Sequence, residues 1–246
     1  MGSPPARHAP RPWKVRAATI AVIVVAGCAQ GLVSPAPGFA VCGENLADHC
    51  YAIAWFDTGE TYTGALAHIN AYRLSQGFDA TRLGFTVDAL WICTNGNAYC
   101  SFWVEEGWRI GARNGSSNTA LTWYYAQDPG ANGFYSEHFP GLPISLGTSY
   151  ATKMSYNGAS RFAFYRDGAW LANSYPGHPL PTEVFQVGIE TTSSSAVNSG
   201  DAMYFQKRGA NNSTWSYNWP GSLLDYDPPL WVGWYIQNQA IQYSEN

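Results

Sequence analysis

The chain has 246 residues, of which 46% are hydrophobic, 15% aromatic and only 12% charged, with 25 glycines and 15 prolines. That composition excludes a disordered segment, a coiled coil and a protein built on long helices. Four cations (Arg7, Arg11, Lys14 and Arg16) precede residue 41, leaving 9 cations against 17 acidic residues beyond it, so the chain offers no electrostatic footprint for nucleic acid.

In chain order, the basic opening leads into the apolar run Ala17-Ala-Thr-Ile-Ala-Val-Ile-Val-Val-Ala26, and Gly38-Phe-Ala40 supplies small residues for cleavage. This is the three-part pattern of a secretory signal peptide. Gly27, Gln30 and Gly31 interrupt the run, which makes it short for a membrane span. We therefore expect a signal peptide over 1–40, one domain over 41–246, an extracellular product and no membrane association after cleavage. Val25-Ala-Gly-Cys28 also has the pattern of a lipobox, so anchoring through a lipidated Cys28 is the alternative.

Beyond it stand Cys42, Cys50, Cys93 and Cys100. An even number in an exported chain reads as two disulfides with three connectivities open. The local pairs 42–50 and 93–100 are favoured, because Thr94-Asn-Gly-Asn97 carries a hairpin-turn signal between residues 93 and 100. No cysteine spacing resembles a zinc site.

Short runs of alternation predict strands over 51–56, 65–74, 83–92, 99–110, 120–126, 149–156, 161–165, 183–192, 203–207, 230–237 and 239–243. Asn114-Gly-Ser-Ser-Asn118, Asp128-Pro-Gly130, Asn157-Gly158, Asp167-Gly168 and Asp227-Pro-Pro229 punctuate them as turns. Many short strands in one domain of this length predict an all-β, antiparallel jelly-roll (concanavalin-like) sandwich.

Two of these strands place a carboxylate beside a glycine on the same face. Along 103–110, period-two alternation puts Trp103, Glu105, Gly107 and Arg109 on one side and Val104, Glu106, Trp108 and Ile110 on the other. Along 184–190, Phe185, Val187 and Ile189 are the core side, so Gln186, Gly188 and Glu190 face away from it. Two glutamates facing one groove can perform acid/base chemistry, whereas an exposed strand glutamate is also an ordinary surface residue. A one-residue bulge would exchange the roles of Glu105 and Glu106.

Val104-Glu-Glu-Gly-Trp-Arg-Ile110 resembles the Ile-Glu-Ala-Gly-Trp-x-Val segment of neprosin-type glutamic peptidases. Phe185-Gln-Val-Gly-Ile-Glu190 resembles their later Gly-Gly-Glu strand, with Ile189 in place of the second glycine. Phe164-Tyr-Arg-Asp-Gly-Ala-Trp170 is similar to an intervening strand, and the order of elements resembles the eqolisins. Over roughly residues 83–207 the resemblance implies a jelly-roll hydrolase with Glu105 and Glu190 as its catalytic pair, acting on polypeptide under acid conditions. In such a pair the ionised carboxylate activates water and the protonated one polarises the carbonyl. Arg109, on Glu105's face, would favour Glu105 as the ionised member, and Gln186 would donate to the oxyanion. Trp103 would line the substrate groove beside them.

Other features point to rival readings. Trp215, Tyr217 and Trp219 fall on one face at period two, either as a stacking platform for sugar rings or as packing residues. That stripe supports a non-catalytic carbohydrate-binding module, and a two-glutamate glycosidase on the same scaffold is the other rival, each with a glycan as partner. Asp225 and Asp227 supply too few oxygens for a calcium site. No His-Glu-x-x-His or Gly-x-Ser-x-Gly motif occurs, and neither a metal nor an organic cofactor is expected.

Overall fold

The structure is a computed structural model that describes residues 49–75, 85–93, 102–111, 121–128, 135–178, 182–192, 197–211, 214–216, 223–227, 230–235 and 240–244. The chain divides into Met1–Pro37 and Gly38–Asn246, and every described residue belongs to the second unit. The expected signal peptide, the lipobox and Cys42, Cys100, Tyr217 and Trp219 lie outside the described residues.

Strands alone make up the regular structure of the described residues. In chain order they are β1 (Cys50–Ser75), β2 (Phe85–Cys93), β3 (Trp103–Gly111), β4 (Thr122–Asp128), β5 (Ser136–His138), β6 (Ser149–Gly158) and β7 (Arg161–Arg166). Then follow β8 (Ala169–Asn173), β9 (Thr182–Thr191), β10 (Val197–Gly209), β11 (Trp215–Ser216), β12 (Leu223–Tyr226), β13 (Trp231–Tyr235) and β14 (Ala240–Ser244). All pairings are antiparallel.

β1 spans what the sequence predicts as two strands, and it serves both layers of the sandwich. Its first part, residues 50–57, pairs with β12 and β9, and β2, β3, β4 and β5 continue that first sheet outward. Its second part, residues 64–75, pairs with β10 and β6; β14 and β13 extend the second sheet on one side, β7 and β8 on the other. Register shifts after Asp57 and after Tyr62 mark where β1 passes between the sheets. Bulges increase twist and bend a strand, which lets one segment join two layers.

The main core fills the space between the sheets. Phe56, Leu90, Ile92, Val104, Trp108, Trp123, Phe185 and Val187 face it from the first sheet, with Ile69, Met154, Phe162, Phe164, Phe205 and Ile241 opposite. The architecture is the expected antiparallel jelly-roll sandwich.

A second, smaller apolar cluster lies on the outer face of the first sheet. Ile53, Val87, Ala89, Trp91, Tyr124 and Ala126 form it, and Tyr51, Trp55, Phe85, Trp103 and Phe139 pack against it. Period two therefore yields two buried faces in one sheet, and the outer one carries the carboxylates discussed next.

Candidate functional site

Strand register builds the site. Across the first sheet, Gln186, Trp91, Glu105, Ala126 and Glu137 form one cross-strand row on β9, β2, β3, β4 and β5. Two residues along, Ile53, Gly188, Ala89, Gly107 and Tyr124 form the next row; two further, Tyr51, Glu190, Val87, Arg109 and Thr122 form a third. The expected faces hold throughout: Val104, Trp108 and Ile110 point into the main core, as do Phe185, Val187 and Ile189.

Glu105 and Glu190 are thus diagonal partners about Ala89. Each stands one strand to the side and two residues along, which places its Cα about 8 Å from that of Ala89. The row between them is Gly188-Ala89-Gly107, so almost no side chain rises from the sheet there. Both glycines are required by backbone packing. A Cβ on Gly107 would meet the Asp88 carbonyl oxygen at 2.0 Å, and one on Gly188 would meet the Ala52 carbonyl oxygen at 2.1 Å. Gly188 also has φ +149°, a conformation side chains rarely adopt.

The alternation through β3 has no bulge, which settles the place of Glu106. Its side chain is buried in the main core, where the Trp123 indole N–H donates to Oε1 at 3.1 Å. Glu106 is a core carboxyl, pushed well above the ordinary range by burial.

Glu105 is 5% exposed and accepts a hydrogen bond from the Trp91 indole N–H on the neighbouring strand. The Tyr124 hydroxyl faces the same carboxyl from β4. Burial first, and the charge of Glu190 second, push its pKa up to about 8. The opposing influence of Arg109 is weak, because the guanidinium is committed elsewhere: Arg109 Nη1 lies 2.6 Å from Glu137 Oε1 in an ion pair almost without solvent. Arg109 also stacks on Phe85, 3.9 Å from the ring centre. Arg109 acts in the expected direction, favouring the ionised form of Glu105, but burial and the charge of Glu190 outweigh it.

Glu190 is held differently. Its Oε1 contacts Nδ1 of His49, the residue immediately before β1, and its carboxyl also accepts a hydrogen bond from the Tyr51 hydroxyl. Burial and then the charges of Glu190, Glu105 and Asp227 push the Tyr51 phenol far above its ordinary value, so it remains a donor. Asp227 reaches this end of the site from the segment after β12, accepting the Tyr51 backbone N–H through Oδ2 at 3.0 Å.

Gln186 is nearly buried and shares the row of Glu105 across β2. Trp103 is half-buried at the end of β3 and meets Tyr135 edge to face, with ring centres 5.8 Å apart. Tyr135 in turn hydrogen-bonds Glu137. Trp215 is half-buried on β11, beside β10 on the second sheet, and so is not on the strands that carry the glutamates. Among the described residues, no group of three or more His, Cys, Asp or Glu side chains is placed to hold a metal.

His49, Tyr51, Trp91 and Glu137 are absent from the sequence expectation. Tyr51 and Trp91 fall in predicted strands, and their alternation places them on the glutamates' face once the pairing is known. His49 and Glu137 carry no such signal, one preceding its strand and the other lying in a strand of three residues.

Cys50 and Cys93 are both disulfide-bonded. Cys50 is level with Thr191 and Thr86, and Cys93 stands seven residues further along β2, so the two do not join each other.

No protein-family model matches the sequence, and no curated protein matches it. Among solved structures, the fold is similar to scytalido-glutamic peptidase bound to a transition-state analogue inhibitor, with TM-score 0.54 and 12% identity over 81% of this chain and 99% of that one. A second structure of that peptidase, with a peptide-based transition-state analogue, gives TM-score 0.51 and 9% identity over 79% and 97%. The eqolisin SCP-B with a tripeptide gives 0.49 and 9% over 80% and 98%. At such identities the likeness is one of fold.

Proposed function

We propose that the chain is an exported peptidase that works under acid conditions with Glu105 and Glu190 as its two reacting carboxyls. The observation that carries this reading is their placement: both face one side of the first sheet, with a row of two glycines and an alanine between them. That bare strip lets an extended peptide backbone lie against the sheet, with a carboxyl to either side.

The environments divide the roles. Glu105, buried and protonated, donates its proton to the scissile carbonyl oxygen. Glu190, held by His49 and Tyr51, takes a proton from water as the hydroxide oxygen bonds to the carbonyl carbon. In the second half, Glu190 gives that proton to the amide nitrogen. The C–N bond breaks, and Glu105 recovers a proton from the diol hydroxyl as the carbonyl reforms. The amide of Gln186 supplies an N–H toward the developing oxyanion. Trp103 and Tyr135 wall the groove beside Glu105. Removal of residues 1–40 and disulfides 42–50 and 93–100 complete this reading of the mature protein.

The test is incubation of the purified protein with an unfolded protein substrate across acidic pH, with peptide products identified by mass spectrometry. Glu105→Gln and Glu190→Gln should each lower turnover about 10²–10⁴-fold with the fold intact. Undiminished hydrolysis by either variant would refute the pair. Cleavage of a polysaccharide by the wild type, with no peptide products, would favour the glycosidase alternative.

A further inference from the structure

His49 stands outside every motif in the chain, yet it touches a reacting carboxyl. Its ring is 41% exposed and packs edge to face on Phe85, centres 5.5 Å apart, and tilted against Tyr51 at 6.5 Å. Phe85 carries the Arg109 guanidinium on its face, so the ring that backs His49 is itself fixed by the buried Arg109–Glu137 pair. This clamp aims Nδ1, rather than the outer ring nitrogen, at Glu190 Oε1.

We propose that His49 is the positioning residue of the dyad: its Nδ1–H orients the Glu190 carboxylate and, when the imidazole is protonated, keeps it charged opposite Glu105. The inference rests on the two-glutamate reading and adds to it a determinant of the working pH. Glu190, Glu105 and Asp227 all act on the Tyr51 phenol, so three carboxyl groups gather at this end of the site. Tyr51 and Tyr124 are neutral phenols here, and Arg109 is engaged by Glu137. Among the described residues, His49 is therefore the group in direct contact with Glu190 that can supply positive charge. An opposite charge at contact lowers a carboxyl pKa by roughly 1–3 units, so the imidazolium extends the single-proton state of the pair to lower pH.

The experiment has two arms. In the first, kcat is followed against pH for wild type, His49→Phe and His49→Asn. The Phe variant, without donor or charge, should show its acid limb displaced upward by about one pH unit with KM little changed. Asn presents an N–H where Nδ1 stood, so it should recover part of kcat at the optimum while keeping a displaced limb. A lower kcat in the Phe variant with the acid limb unmoved would reduce His49 to a structural residue and overturn the proposal. In the second arm, the imidazole of His49 is titrated by NMR in wild type and Glu190→Gln. Its midpoint should fall by about one unit when the carboxylate is removed, and an unmoved midpoint overturns the pair. This arm needs no turnover, so it separates failure of the His49 proposal from failure of the peptidase reading.

Discussion

Arg109 and Glu137 meet with almost no solvent on either side chain. Removing one partner of such a pair leaves an uncompensated buried charge, at a cost of about 3–5 kcal/mol, whereas replacing both with apolar residues is often close to neutral. Glu137→Leu and Arg109→Met should each lower the urea midpoint sharply, and the double variant should recover most of the loss; additive losses would show that the two side chains are not coupled. The same scale shows what could be read from residues in advance. Glu105, Gly107, Gly188 and Glu190 were legible because alternation assigns faces without knowledge of pairing. Glu137 was not, because three residues are too few to establish a period. Nor was the burial that pushes the Glu105 carboxyl up, since it arises only once the neighbouring strands are paired beside it.

The elements that matter most are β2, β3 and β9, whose two buried faces leave a strip of small residues between the carboxylates. At Gly107 and Gly188 an added Cβ would press on main-chain atoms of the neighbouring strand, which cannot rotate away. Gly188→Ala should therefore destabilise the domain by about 1–3 kcal/mol, with further strain from its φ, and thermal melts should show a fall of several degrees. A melt equal to wild type would mean that the strands separate freely there. Most strands were readable from alternation, but β1 appeared as two. A strand that changes sheet carries its bulges where alternation lapses, so sequence registers a gap instead of a crossing. β8 was legible only through the motif ending in Trp170, and β12 was not predicted, its four residues being too few to show a period beside the turn at Asp227-Pro-Pro229. The turn at Asp167-Gly168 is as expected, both residues having positive φ, while the preceding hairpin turns two residues later than expected, at Ala159-Ser160.

For the whole molecule, buried carboxyls set the response to pH. Asp88, bonded by the Tyr243 hydroxyl, and Glu106 lie in the main core, Glu105 on the outer face; burial raises all three above their ordinary values. A carboxyl that holds its proton more tightly when folded contributes stability in full below its unfolded pKa, and that contribution is lost as pH rises toward its folded pKa. For Glu105 the window runs from about 4.5 to 8. Unfolding free energy should decline across it, by up to about 1.4 kcal/mol per pH unit for each such group, and Glu105→Gln should flatten the decline. Stability that rises through this range would contradict the burial.

The most direct measurement is the NMR titration of the Glu105 side-chain carboxyl carbon in wild type and in Glu190→Gln. The account predicts a wild-type midpoint near 8 that falls in the variant, yet stays above the ordinary glutamate range because burial persists. The same midpoint in both proteins would mean that the two carboxyls do not sense one another.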